Sequence, residues 1–134
     1  MSLRSIALSI AFAATSLIDT TASACCASPE TIVSLHFDAL NAHDEARLLR
    51  QWNANATVVS REPAVTESVD KAAARWVKAR QPVTFHVDKV DESRDGATVR
   101  VTVNFEGRTI EDTMLLSFTD DGWRITAKTS RLRY

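Results

Sequence analysis

The chain has 134 residues, of which 45% are hydrophobic and 25% charged, and its formal net charge is -1. This composition is that of one ordinary globular domain and excludes a disordered or fibrous chain. The near-neutral charge leaves no basic surface for a phosphate backbone, which excludes nucleic acid as a partner.

The first residues have the features of a secretory signal peptide. Arg4 gives a short positive start, and the apolar run from Ser5 to Ile18 is too short to span a bilayer. The small residues Ala22 and Ala24 predict leader-peptidase cleavage after Ala24, although a buried N-terminal helix is the alternative. We therefore expect a periplasmic or secreted protein. The predicted parts are a signal peptide over 1–24, a tail over 25–28 and one domain over 29–134.

Cleavage after Ala24 makes Cys25 the first residue of the mature chain, with Cys26 beside it. A lipid anchor on Cys25 is one interpretation, although Ala22 stands where a lipobox usually has Leu or Val. A membrane is an expected partner only in that case. Adjacent cysteines form only a strained disulfide with each other, so an unstructured tail or an interchain link is the other interpretation.

The first half of the predicted domain has helical periodicity. Ser28 is a suitable N-cap for a helix with Pro29 at its first position, and Asp44 is a second N-cap after a short break. A third helix is predicted from Glu67 to Ala79. One short strand, Ala56 to Ser60, lies between the second and third helices.

The second half alternates apolar and polar residues with period two, which predicts strands. The three glycines of the chain each follow an acidic residue, at 95–96, 106–107 and 121–122, and mark tight turns. Four sequential strands joined in this way form an antiparallel meander. We therefore expect an α+β fold in which three N-terminal helices pack on one mostly antiparallel sheet.

Two segments resemble a known superfamily. The run FDALNAHDEARLLRQWNANATVVS resembles the opening of the nuclear transport factor 2-like proteins, and GRTIEDTMLLSFTDDGWRITAK is similar to their last hairpin. The resemblance is strongest to the branch named putative lumazine-binding, close to the polyketide-cyclase-like proteins, and it covers the chain from Pro29 onward. It implies a curved sheet, a cone-shaped cavity and frequent dimerisation. The activities it implies range from steroid isomerases and dehydratases to binding modules.

Asp112 falls on the apolar side of its predicted strand. A two-residue turn at 106–107 places Val101 opposite Asp112, and a four-residue loop at 119–122 places Thr129 opposite it. The same registers pair Val103 with Ile110, Val99 with Met114, Phe118 with Trp123, Leu116 with Ile125 and Met114 with Ala127.

A buried carboxylate without a partner is costly, so Asp112 must have one or must face a cavity. One interpretation is an ion pair with Arg131, supported by Thr129, that fixes the strand register. The other is a cavity residue that acts as a general acid or base, or that binds a ligand. A catalytic Asp112 predicts that Asp112→Asn removes turnover without destabilising the fold, whereas a structural pair predicts a loss of about 3 kcal/mol or more.

His36 lies on the inward face of the first helix. It is interpreted either as a core histidine held by a backbone carbonyl or as the partner of Asp112 across the cavity. His43 is predicted in solvent, and a β-bulge at 88–89 turns His86 outward. The histidine spacing fits no metal site, so we expect neither a metal nor another cofactor.

The predicted pocket suits a small apolar or flat ligand. Its predicted lining is Trp52, Trp76, Val101, Met114 and Thr129. The basic residues Arg75, Lys78 and Arg80 are interpreted as a solvated face of the third helix.

Two functions are open at this point. The favoured one is an exported small-molecule-binding or accessory module with a cavity between helices and sheet. The alternative is a cofactor-free lyase or isomerase in which Asp112, with His36, is the general acid or base. A homodimer through the outer sheet face is a further expectation, and its predicted residues are Thr98, Arg100, Thr102, Thr113, Leu115 and Ser117.

Overall fold

The computed structural model of the protein describes residues 27–61 and 64–133. The predicted signal peptide, its cleavage site, and Cys25 and Cys26 lie outside the described residues. In the described segments, the helices are too short or too polar to cross a bilayer.

The described segments contain three helices and six strands. The helices are α1 (Pro29–Asn41), α2 (Glu45–Leu49) and α3 (Val69–Trp76). The strands are β1 (Trp52–Arg61), β2 (Ala64–Ser68), β3 (Thr84–Glu92), β4 (Gly96–Phe105), β5 (Arg108–Thr119) and β6 (Gly122–Arg133).

Both predicted N-caps are confirmed. Ser28 Oγ accepts the N–H of Thr31 at 3.2 Å, and Asp44 Oδ1 accepts the N–H of Arg47 at 3.0 Å. Each bond satisfies one of the backbone donors that the first turn of a helix leaves free.

The third helix begins later and ends earlier than predicted. Residues Ala64–Ser68 form the short edge strand β2, whose exposed residues lack the alternation that identifies a strand from sequence. Ser68 then caps α3 by accepting the N–H of Lys71 at 3.4 Å. The helix ends at Trp76, so residues 77–79 continue as turns.

The six strands form one curved sheet in the order β2-β1-β6-β5-β4-β3. The pairing of β1 with β6 is parallel and the other pairings are antiparallel. The predicted α+β class and the four-strand meander are confirmed. The sheet has one strand more than predicted, and β1 begins at Trp52 rather than Ala56.

The turn between β4 and β5 fixes the register around Asp112. Glu106 and Gly107 have φ values of 50° and 74°, as a two-residue hairpin turn with left-handed central residues requires. Val101 therefore pairs with Asp112, as predicted. The predicted pairs Val103 with Ile110 and Val99 with Met114 are confirmed as well.

A β-bulge in β6 changes which side chains face the core. Leu116 pairs with Ile125, as predicted, but Leu115 pairs with Ala127, so Thr126 is an extra residue. Its hydroxyl donates to the carbonyl oxygen of Leu115 at 3.1 Å.

The predicted pairs beyond this bulge are wrong, because they assumed an unbroken ladder. Met114 pairs with Lys128 instead of Ala127, and Asp112 pairs with Ser130 instead of Thr129. Lys128 and Ser130 consequently share the face of Asp112. Thr129 lies on the opposite face, where it pairs with Thr113.

The core lies between the helices and one face of the sheet. Alternate residues of β4, β5 and β6 are buried against α1, and Val69, Ala72 and Ala73 of α3 complete the layer. Three polar or charged residues of the described segments are also buried, namely His36, Asp112 and Lys128.

The predicted β-bulge in β3 is confirmed. Val87 pairs with Val101 and Lys89 pairs with Arg100, which leaves Asp88 as the extra residue. The side chain of His86 is therefore 80% exposed, and its Nδ1 lies 3.0 Å from a carboxylate oxygen of Asp88. His43 is exposed as well, and its Nδ1–H donates to the carbonyl oxygen of Val77 at 2.8 Å.

Candidate functional site

A cavity of ≈ 430 Å³ lies between α1, α3 and the inner face of the sheet. Its wall is mainly apolar and includes aromatic rings from both layers. The apolar lining is Phe37, Leu40, Val58, Trp76, Ala79, Val83, Val103, Phe105 and Ile110. The polar lining is Ser60, Glu67, Arg75, Asp112, Lys128 and Ser130.

Asp112 and Lys128 form a buried ion pair on this wall. Asp112 Oδ2 lies 3.3 Å from Lys128 Nζ, and the two side chains are 3% and 8% exposed. Ser130 Oγ donates to Asp112 Oδ1 at 2.6 Å. The turn at 106–107 directs Asp112 inward, and the bulge at Thr126 directs Lys128 and Ser130 toward it.

Lys128 also contacts an aromatic ring. Its Nζ lies 4.1 Å from the centroid of a Trp76 ring, which is the geometry of a cation–π interaction. Trp76 is the last residue of α3 and lines the cavity. The ammonium group is therefore held between the carboxylate of β5 and the ring of α3.

Asp112 thus has a cationic partner, but the partner is not the one predicted. Arg131 pairs instead with Glu111, with Nη2 3.4 Å from Oε2, because both residues lie on the other face of the sheet. The cation beside Asp112 is Lys128. The predicted support from Thr129 comes from Ser130.

His36 is fully buried beside the cavity. Trp52 Nε1–H donates to His36 Nδ1 at 3.0 Å, so Nδ1 carries no proton and the imidazole is neutral. Burial, and to a smaller extent the charge of Lys128, hold the pKa of His36 well below its ordinary value of 6.5. Its partner is thus a tryptophan, not the predicted backbone carbonyl.

His36 makes no hydrogen bond to Asp112, and it is absent from the cavity lining. Its Nε2 has no hydrogen-bond partner among the described residues. The imidazole stands edge-on to Trp76, with the ring centroids 5.7 Å apart and the planes at 89°. His36 therefore supports the tryptophan that holds Lys128, rather than Asp112 itself.

The remaining predicted lining residues take three different positions. Trp52, Val101 and Met114 are buried in the core and lie outside the cavity lining. Trp76 lines the cavity, and Thr129 faces away from it.

One edge of the cavity carries an ion pair between Glu67 and Arg75. Arg75 Nη1 donates to Glu67 Oε2 at 3.0 Å, and its Nη2 contacts the other carboxylate oxygen. The hydrogen bond from Arg75 lowers the pKa of Glu67. The side chain of Arg75 is 62% exposed but lines the cavity, so it contributes more than a solvated helix face. Lys78 and Arg80 are exposed, as predicted, but they lie after the end of α3 and not on a face of it.

Two other depressions lie on the described surface. A pocket of ≈ 180 Å³ adjoins the main cavity and shares Ser60, Phe105, Ile110 and Ser130 with it. A broader depression of ≈ 570 Å³ near the β3–β4 turn is open and is lined partly by exposed acidic residues. It contains no buried charged group, so its larger volume does not make it the better site. In the described segments, no three His, Cys, Asp or Glu side chains are close enough to hold a metal ion.

The chain is similar to known proteins in both sequence and fold. The family model described as "Putative lumazine-binding" matches residues 28–131. No curated protein gives a significant match. Among solved structures, a nuclear transport factor 2-like protein of unknown function from Silicibacter pomeroyi is 21% identical with a TM-score of 0.69. That match covers 76% of this chain and 90% of the other.

Two further solved structures have names that describe a chemistry. A ketosteroid isomerase-like protein from Erwinia carotovora atroseptica is 16% identical with a TM-score of 0.63, and the match covers 78% of this chain and 93% of that one. A putative dehydratase from Streptomyces avermitilis is 17% identical with a TM-score of 0.66, covering 77% and 91%. At these identities the likeness shows the fold alone.

Proposed function

Since the chain belongs to the putative lumazine-binding family of nuclear transport factor 2-like proteins, we propose that it is a small-molecule-binding module. The ligand site is the cavity between the helices and the sheet, which we propose to be the cone-shaped interior that the family resemblance implies. The ligand is a flat, partly apolar molecule with at least one polar group.

The observation that carries this proposal is the ion pair of Asp112 and Lys128 on an otherwise apolar wall. A buried ion pair is often no more stabilising than well-packed hydrophobic residues of the same volume, so stability alone gives little reason for it. Ligand sites, in contrast, combine an apolar lining with a few polar groups that fix orientation. The cavity has both features.

The composition of the lining favours a planar ligand. Phe37, Trp76 and Phe105 contribute aromatic surface from both layers, and the paired residues Val103 and Ile110 line the cavity as well. A volume of ≈ 430 Å³ is in the ordinary range for small-molecule sites. A fused two-ring molecule fits such a space with its polar group toward Asp112 and Lys128.

Titration of the chain with 2-naphthol tests this proposal, with tryptophan fluorescence as the readout because Trp76 lines the site. The variant Ala79→Phe puts a ring into the cavity from its edge. Ala46→Phe is the matched control, since Ala46 is an exposed helix residue outside the lining. We expect saturable binding by the chain and by Ala46→Phe, and roughly tenfold weaker binding by Ala79→Phe. Equal binding by the two variants would reject the cavity as the site.

The second candidate function is a cofactor-free lyase or isomerase, favoured by a cavity carboxylate with a cation beside it. In this proposal Asp112 takes a proton from a carbon next to a carbonyl, the C–H electrons form a C=C bond, and the π electrons of the carbonyl move to its oxygen. Lys128, in place of His36, stabilises that oxygen's negative charge. Return of a solvent deuteron from Asp112 to the carbon completes an exchange.

Deuterium exchange into 2-tetralone, followed by mass spectrometry, tests this second candidate. We expect exchange above the buffer rate, and we expect Asp112→Asn to abolish it. Exchange at the buffer rate leaves binding as the function of the site.

We also propose that the protein is exported and that it forms a homodimer through the outer sheet face. Leu115, which is 46% exposed, lies on that face and supports the second proposal. Cell fractionation tests export, and cytoplasmic recovery of the uncleaved chain would reject it. Sedimentation tests the dimer, and a monomer at micromolar concentration would reject it.

A further inference from the structure

The ion pair on the cavity wall has more hydrogen-bonding capacity than its protein partners use. An ionised carboxylate has about four acceptor positions, and an ammonium group has three donors. Among the described residues, Asp112 accepts from Ser130 on one oxygen and contacts Lys128 on the other. One side of the Lys128 ammonium group faces Asp112 and another faces the ring of Trp76.

The unused capacity is an acceptor and a donor at adjacent positions. Asp112 keeps acceptor positions, and Lys128 keeps a donor, on groups that are 3% and 8% exposed and line the cavity. Buried polar groups are almost always hydrogen-bonded, because leaving them unpaired costs free energy. Each of the two groups therefore has capacity left for a hydrogen bond to a bound molecule.

We infer that the cavity selects a planar cyclic amide whose N–H and C=O lie side by side on one ring edge. The N–H donates to Asp112 and the carbonyl oxygen accepts from Lys128. This inference rests on the proposed function, and it adds the chemical class of the ligand and the way in which the ligand is oriented.

The spacing of the pair suits this edge. The nitrogen and oxygen of an amide lie about 2.3 Å apart, whereas Asp112 Oδ2 and Lys128 Nζ lie 3.3 Å apart. Two slightly splayed hydrogen bonds bridge this difference. A ligand with only an acceptor, or only a donor, leaves one member of the pair incomplete, so the site discriminates against it.

A series of three ligands tests the inference: 2-quinolone, N-methyl-2-quinolone and 3-methyl-2-quinolone. N-methylation removes the N–H donor. The 3-methyl compound carries the same added carbon on the opposite side of the carbonyl and retains the N–H, so it controls for size. Dissociation constants are measured by isothermal titration calorimetry on the full chain.

We expect 2-quinolone and 3-methyl-2-quinolone to bind with similar affinity, and N-methyl-2-quinolone to bind roughly tenfold more weakly or worse. In the double variant Asp112→Leu/Lys128→Met, which removes both the acceptor and the donor, the three affinities converge. Thr129→Val, a change on the opposite face of the sheet, preserves the discrimination. The ligand series on the unmodified chain decides the matter even where the double variant does not fold.

The outcomes separate this inference from the proposed function. If all three quinolones bind equally, the edge recognition is wrong and the binding function stands. If 2-naphthol binds and no quinolone does, the ligand class is wrong. If no compound binds, including 2-naphthol, the proposed binding function itself fails.

Discussion

Replacement of Lys128 by methionine probes the ion pair most sharply, because methionine keeps much of the side-chain volume and removes the charge. The change leaves Asp112, at 3% exposure, with Ser130 as its one remaining side-chain partner in the described segments. Two unit charges 3.3 Å apart attract each other by about 5 kcal/mol at an effective dielectric constant of about 20. The hydrogen bond from Ser130 and the adjoining cavity compensate part of the loss. We therefore expect Lys128→Met to lower the free energy of unfolding by about 3 kcal/mol.

The double variant Asp112→Asn/Lys128→Met removes both charges, so neither charge is left buried without its partner. We expect its loss of unfolding free energy to be smaller than the sum of the losses of the two single variants by about 2 kcal/mol. Urea denaturation followed by tryptophan fluorescence measures all four proteins of the cycle. A domain of this size has enough stability for the single variants to remain folded. Losses below about 1 kcal/mol for Lys128→Met, or additivity within about 0.5 kcal/mol, contradict a buried and coupled pair.

Three further changes test other parts of the structure. His36 is neutral in the fold and its pKa is lowered, so below about pH 6.5 the unfolded chain binds a proton that the folded chain does not. The free energy of unfolding should therefore decrease as the pH decreases, by up to about 1.4 kcal/mol per pH unit. His36→Gln should flatten that slope in urea titrations from pH 7 to 5, and an unchanged slope would show that His36 is not the cause. Gly107→Ala should cost about 1 kcal/mol because φ is 74° there, whereas Gly96→Ala, whose added Cβ meets its nearest atom at 3.6 Å, serves as the control; equal losses would reject the turn geometry. Arg75→Gln should cost less than about 1 kcal/mol, since its side chain is 62% exposed, and a larger loss would mean that the Glu67 pair is more buried than the structure shows.

The fold was predictable where local rules decide it. Ser28 and Asp44 identify two helix starts through capping chemistry, and the acidic-glycine pairs identify the turns of the meander. The inward position of Asp112 followed from period-two alternation and from the turn at 106–107. These features depend on residues close together in the chain.

The composition of the site was not predictable in the same way. The bulge at Thr126 inserts one residue, so every later side chain of β6 faces the opposite side of the sheet from the one predicted. Lys128 and Ser130 therefore face the site in place of Ala127 and Thr129. Neither a glycine nor a proline stands at or beside position 126 to mark the bulge in the sequence. The available clue was energetic: a buried acid needs a cation, and on the neighbouring strand Lys128 was an alternative to Arg131.

The strand β2 was missed for a different reason. Its residues are mostly exposed, so they lack the alternation that burial of one face imposes. Its pairing with β1 makes it a strand, and that pairing depends on tertiary structure. The late start of α3 follows from this strand pairing, since Ser68 ends the strand and caps the helix.

A crystal structure of the chain with 2-naphthol bound would show directly whether the cavity is the ligand site. We expect the two rings to lie against Trp76 and Ile110, with the hydroxyl within hydrogen-bonding distance of Asp112 or Lys128. A ligand found on the outer sheet face, or a cavity filled by the side chains around the ion pair, would contradict it.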